Sequence, residues 1–126
     1  MPDTFYNLVE WNSAMQLRNK EYHFCLLNIQ ISDNIDMDNI ALIAQNLKEI
    51  LRATDMLTRT NNQTIWIMLP NTPLNGCEIV VSKLLSTELI NNHKIEDMMQ
   101  VKSFASETLG KIDDAKRLFA ELVNRG

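Results

Sequence analysis

Arg52 and Asp55 are the residues of this 126-residue chain whose types and spacing best suit recognition chemistry. A guanidinium presents N–H donors in a rigid planar fork, and a carboxylate accepts from N–H groups. Three positions apart, at a helix end and the turn after it, both can reach one side of the molecule. Taken alone, the same spacing also describes a solvated ion pair worth about 0–1 kcal/mol. Arg59 is the nearest further cation. A second polar group comprises Asn28 and Gln30 inside an apolar run, with Asn61-Asn62-Gln63 between two others. Asn tolerates positive φ, so Asn61-Asn62 suits a two-residue hairpin turn. His23 stands at a strand start and His93 in a polar stretch, neither with partners at metal-ligand spacing, so no metal site is expected.

The bulk numbers narrow the classes of partner. Hydrophobic residues make up 45% and charged residues 22%, ordinary for a globular domain, and the length suits one domain spanning 1–126. A net charge of −4 argues against a nucleic acid polymer, which requires a face dominated by basic residues. It leaves room for a small anionic ligand held by two or three arginines. Cys25 and Cys77 lie far apart with no CxxC, and read as buried free thiols in a reducing compartment. No signal peptide and no bilayer-length apolar run is present, so no membrane insertion is expected. The expected location is cytoplasmic, as a free domain or as the cytoplasmic part of a membrane-associated protein.

Hydrophobic periodicity orders the chain as α-β-α-β-β-α-β-α. Leu8, Trp11 and Met15 recur at helical spacing, with Asp3 or Thr4 as a cap. Tyr22 to Ile31 is an apolar run of strand length. Ile40, Ile43, Ala44, Leu47, Ile50 and Leu51 mark an amphipathic helix with Asp36 or Asp38 near its start. Met56–Thr60 and Thr64–Leu69 read as a hairpin, the second strand stopped by Pro70. Cys77, Val80, Val81, Leu84 and Leu85 stripe a helix after Pro73, and Met98–Ala105 is a weaker strand. Ile112, Ala115, Leu118, Phe119, Leu122 and Val123 form the last helix. Trp66 and the scattered methionines read as core. One hairpin among strand–helix alternations implies an α+β sandwich, a mixed sheet flanked by helices.

From Arg52 to Thr72 the sequence resembles the centre of a GGDEF domain: an RxxD, five residues (Met56 to Thr60), a signature hairpin, then an apolar strand ending Leu69-Pro70-Asn71-Thr72. Ala44, Leu47 and Arg52 match that family's preceding helix, and Leu26 to Gln30 match its first strand. Phe5-Tyr6-Asn7 and the stretch from Ala115 to Gly126 are similar more loosely. The resemblance implies a GGDEF-like (nucleotidyl-cyclase-like) fold.

Active members of that family join two GTP molecules into cyclic-di-GMP with Mg²⁺ held by carboxylates, and here those positions have changed. The strand's two aspartates are Asn28 and Gln30, and the signature reads Asn61-Asn62-Gln63-Thr64-Ile65. Amides and hydroxyls bring no negative charge to a divalent ion. Both signature glycines have gained side chains. The segment after the first strand is shorter than the family pattern and lacks its guanine-recognition residues and phosphate-contacting lysine. No catalytic residue and no cofactor is expected. What remains is the RxxD of the family's product-inhibition site, which suits guanine. Arginine can donate twice to O6 and N7, and a carboxylate can accept from the opposite edge.

The resemblance thus implies a catalytically inactive cyclic-di-GMP receptor with Arg52, Asp55 and Arg59 as ligand-binding residues, Arg59 the weakest. Receptor subunits of exopolysaccharide machinery in bacterial biofilms combine these features, which implies a protein partner or adjoining domain. The alternatives are a ligand-free interaction or dimerisation scaffold, and residual GTP binding without turnover.

Overall fold

Seven residues of the central apolar run form β1 (Cys25–Ile31), which is hydrogen-bonded on both sides. The structure, a computed structural model, describes residues 2–61, 63–86 and 95–125. Asn62, His93 and Gly126 lie outside the described residues. The other elements are α1 (Pro2–Arg18), α2 (Met37–Ile50), β2 (Met56–Asn61), β3 (Thr64–Leu69), α3 (Leu74–Ser86), the short α4 (Ile95–Met98), β4 (Met99–Ala105) and α5 (Lys111–Arg125). The sheet order is β2-β3-β1-β4.

Every neighbouring pair of strands is antiparallel, with Leu27 opposite Ile67 on one side and Ser103 on the other. The α+β class stands, but the sheet is antiparallel and not mixed. The cause is topological: each strand–helix–strand unit crosses over a strand of the other. β1 and β2 run parallel with β3 between them, and β3 and β4 run parallel with β1 between them. This is the split β-α-β arrangement.

Strand alternation sends odd and even residues of β1 to opposite faces, and both faces are covered. Cys25, Leu27, Ile29 and Ile31 meet Ile40, Ile43 and Leu47 of α2 and Leu84 of α3. Phe24, just before β1, and Leu26 join Trp66, Met68 and Phe104 against Phe5 and Val9 of α1 and Phe119 and Leu122 of α5. Trp66 is fully buried, its ring edge-on to Phe119 at 5.5 Å. Asp36 is the residue that caps α2, its carboxylate accepting from the Asn39 N–H at 2.8 Å.

Four further expectations change. The first helix begins at Pro2, so Asp3 and Thr4 lie in its first turn and do not cap it. Its buried stripe is Phe5, Val9 and Asn12, while Trp11 is 60% exposed. Leu8 and Met15 are half-buried, so the stripe expected to face the core is rotated toward solvent. Leu85 of α3 is likewise exposed. Finally, Cys25 and Cys77 form a disulfide across a separation of 52 residues, which overturns the free-thiol reading and its argument for a reducing compartment. Cys25 points from β1 toward the α2–α3 layer, and Cys77 sits on the inward face of α3. No described helix is long and apolar enough to cross a membrane.

The two tryptophans therefore differ in weight. Trp66→Ala should destabilise the domain by about 3–5 kcal/mol, as expected for loss of a buried aromatic ring. Trp11→Ala should stay within about 0.5 kcal/mol, as expected for an exposed position. Urea unfolding followed by circular dichroism checks both, and equal losses would refute the placement of α1.

Candidate ligand-binding site

Arg52 follows the end of α2, and Asp55 closes the turn that leads into β2, with the Asp55 N–H donating to the Arg52 carbonyl at 3.0 Å. The turn brings the two side chains together. One Asp55 oxygen accepts from Arg52 Nη2 at 2.9 Å and Nε at 3.2 Å, and the other from the Arg52 backbone N–H at 2.8 Å. The pair is asymmetric: the Arg52 side chain is 54% exposed and that of Asp55 only 3%. A buried carboxylate thus holds a surface guanidinium by backbone and side chain together.

Nη2 of Arg52 also reaches across to the end of β3. It donates to the Pro70 carbonyl at 3.0 Å and to Thr72 Oγ1 at 2.7 Å. The Thr72 hydroxyl in turn donates to the Pro70 carbonyl at 2.9 Å. Asn71 between them has φ 49°, a left-handed conformation that asparagine tolerates, and its N–H donates to Tyr22 Oη. The site therefore joins two turns, one after α2 and one after β3. Among the described residues no hydrogen bond engages Nη1.

The structure brings Arg52 and Asp55 together but not Arg59. Arg59 lies on β2 opposite Ile65, half-buried on the α2–α3 face of the sheet. It is three residues, about 10 Å, along the strand from Met56, and no hydrogen bond or ion pair among the described residues joins it to the pair. Residues missed by reading the sequence are Pro70 and Thr72. The Leu69-Pro70-Asn71-Thr72 run was visible, but its contact with Arg52 depends on two turns meeting in space.

The second polar group lies elsewhere on the sheet. Asn28 is fully buried on β1 opposite Trp66. Its Oδ1 accepts from Gln30 Nε2 at 3.2 Å, and Gln30 Oε1 accepts from the Thr64 hydroxyl at 2.9 Å. Asn28 Nδ2 and Trp66 Nε1 are buried without an acceptor among the described residues. This set of two amides and a hydroxyl carries no negative charge of its own and fits poorly to Mg²⁺, which takes hard oxygen ligands such as carboxylates. Among the described residues, no group of three or more His, Cys, Asp or Glu side chains is placed to hold a metal ion.

No protein-family model matches the sequence, and no curated protein gives a significant match. Solved structures do match. A DGC protein from Thermotoga maritima superposes with a TM-score of 0.68 at 15% identity over 95% of this chain and 89% of that one. The FimX GGDEF domain from Pseudomonas aeruginosa gives 0.65 at 14% over 98% and 88%. Diguanylate cyclase SiaD of Pseudomonas aeruginosa, solved in complex with its activator SiaC, gives 0.63 at 13% over 98% of this chain and 55% of that one. The chain has the GGDEF-type fold, and at such identities the likeness speaks to fold alone.

Arg52→Ala should destabilise the domain by about 1–3 kcal/mol, because it leaves the nearly buried Asp55 carboxylate without its side-chain donors, with only the residue-52 backbone N–H still paired. Arg52→Lys should recover part of that loss. Thermal and urea denaturation read both. A neutral Arg52→Ala would mean that the pair is a solvated contact with no structural weight.

Proposed function

We propose that this domain is a catalytically inactive cyclic-di-GMP receptor, and that Arg52 is its principal reader. The observation that supports this most is the half-exposed guanidinium of Arg52, anchored from behind by the nearly buried Asp55. A charged donor held in place but open on its outer side can recognise an acceptor-rich base without first being ordered, which lowers the entropic penalty of binding. Guanine presents O6 and N7 as such acceptors.

Asp55 completes the reading in a way the spacing alone does not suggest. Its oxygens are occupied by Arg52, so for guanine N–H groups to reach it the ion pair must open. In the ligand-free domain Asp55 orients Arg52, and contact with ligand follows only on that exchange. Arg59, displaced along β2, is a weaker third contact, reached by a ligand that extends past the first base. Micromolar affinity requires roughly 8 kcal/mol. One arginine pairing supplies about 1–3 kcal/mol, so Arg59 and further contacts within the chain must supply the rest, and an adjoining domain or protein partner adds to them. Ligand binding then biases that contact, and signalling to exopolysaccharide or related bacterial machinery is the output we propose.

The absence of turnover rests on charge. Asn28, Gln30, Gln63 and Thr64 stand where the family resemblance calls for a metal-binding carboxylate set. A second reading, a ligand-free interaction scaffold, is favoured by one observation: Trp11 and Leu17 of α1 are exposed at 60% and 86%. Under that reading Arg52→Ala leaves partner binding intact and nucleotide changes nothing.

Calorimetric titration of cyclic-di-GMP into the chain should show micromolar binding that Arg52→Ala abolishes and Arg52→Lys weakens. Cyclic-di-AMP, whose adenine offers a donor in place of O6, should not compete. GTP with Mg²⁺ should yield no cyclic dinucleotide. No heat with cyclic-di-GMP would sink the receptor reading, and detected product would sink the claim of inactivity.

A further inference from the structure

Arg52 has donors on three nitrogens, and the structure accounts for two of them. Nε and one Nη2 contact are committed to Asp55, and Nη2 is shared further with Pro70 and Thr72. The shortest of these contacts is to Thr72 Oγ1, at 2.7 Å. Asp55 alone would leave the guanidinium free to swing about the Nε–Nη2 edge it grips, and the Pro70 carbonyl and Thr72 Oγ1 close that freedom from the far side, Thr72 by the shorter contact.

Thr72 is itself immobilised. It is 5% exposed, and its N–H donates to the His23 carbonyl at 2.8 Å, just before β1. Its methyl lies where a Cβ on Gly76 would stand 3.1 Å away, so the first turn of α3 packs directly on it. Its hydroxyl proton is used by the Pro70 carbonyl, which leaves the oxygen lone pairs for Arg52. The result is an acceptor of fixed direction aimed at one nitrogen.

We propose that Thr72 is a positioning residue of this site: its hydroxyl clamps the Arg52 guanidinium so that Nη1 is the nitrogen presented to ligand. This rests on the receptor reading and deepens it. A ligand acceptor is met by the two Nη1 hydrogens, because the Nη2 side of the fork is filled by the protein's own oxygens. The clamp also makes the turn before α3 part of the site.

Thr72→Val keeps the methyl packing on Gly76 and removes the acceptor, whereas Thr72→Ser keeps the hydroxyl and removes the methyl. Two readouts separate this inference from the reading it rests on. In the ligand-free chain, the Arg52 Nε–H resonance, assigned by its loss in Arg52→Lys, should be sharp in wild type and Thr72→Ser and broadened or lost in Thr72→Val. In calorimetry with cyclic-di-GMP, Thr72→Val should bind roughly tenfold more weakly, the scale of one charge-assisted hydrogen bond. Thr72→Ser should stay within about twofold of wild type on the same scale. A Thr72→Val chain with an unchanged Nε–H signal overturns the clamp, as does one that binds as tightly as wild type. A Thr72→Ser chain as impaired as Thr72→Val also overturns it, by assigning the effect to methyl packing. If wild type itself gives no binding heat, the receptor reading and the affinity claim fall together, and the Nε–H comparison still decides whether Thr72 holds Arg52.

Discussion

The central strand has no open side. β1 is paired with β3 on one edge and β4 on the other, and helices cover both of its faces. Buried polar groups in such a position must find partners within the protein, because an unmet donor or acceptor costs about 1–3 kcal/mol. Leu26, Leu27 and Ile29 meet that constraint by being apolar. Asn28 and Gln30 meet it in part by bonding to each other and to Thr64. Polar chemistry that needs solvent or ligand is therefore pushed to the ends of the sheet, where chain turns reach the surface.

Arg52 shows what a turn can do that the strand cannot. Its charge stays in water while its counter-ion is buried, and the Asp55 oxygens are satisfied by donors from the same four-residue turn. Holding a long, flexible side chain in one orientation normally loses rotamer entropy, which is why most exposed ion pairs contribute little. Here the backbone N–H of Arg52 shares the carboxylate, and Pro70 and Thr72 fix the other side of the fork. Several hydrogen bonds on one guanidinium turn a weak surface contact into a defined donor.

Periodicity revealed the element order, apart from the one-turn α4, because each longer helix buries one stripe while β1 and β3, buried on both faces, read as apolar runs of strand length. The hairpin between β2 and β3, the capping of α2 by Asp36 and the burial of Trp66 all follow from local pattern. Three features were not legible, each for a physical reason. Strand direction depends on which strand a crossover skips, and spacing along the chain carries no such information. Helical phase in α1 is ambiguous because Phe5–Val9 and Leu8–Trp11–Met15 are both apolar stripes, and only packing against Phe119 and Trp66 selects the first. The Cys25–Cys77 disulfide joins a strand to a helix across 52 residues, a closure visible only once β1 and α3 are stacked. The site divides in the same way. Arg52 and Asp55 are close in sequence and were legible, whereas Thr72 enters from 20 residues away.

The two polar groups show different ways in which such a fold can place polar side chains. Asn28 is packed at full burial opposite Trp66 within an unbroken sheet register, with an amide in place of any charge. An ionised aspartate in that position, with apolar walls and no cation, would carry a large desolvation penalty. Asparagine carries no such penalty, and its amide brings no negative charge to a divalent ion. The Arg52 turn carries no such conflict, since its charges compensate each other whether or not a ligand is present. Burial on β1 thus favours neutral residues wherever no metal compensates a carboxylate. The turn instead accommodates an arginine and a carboxylate, because each is the other's partner.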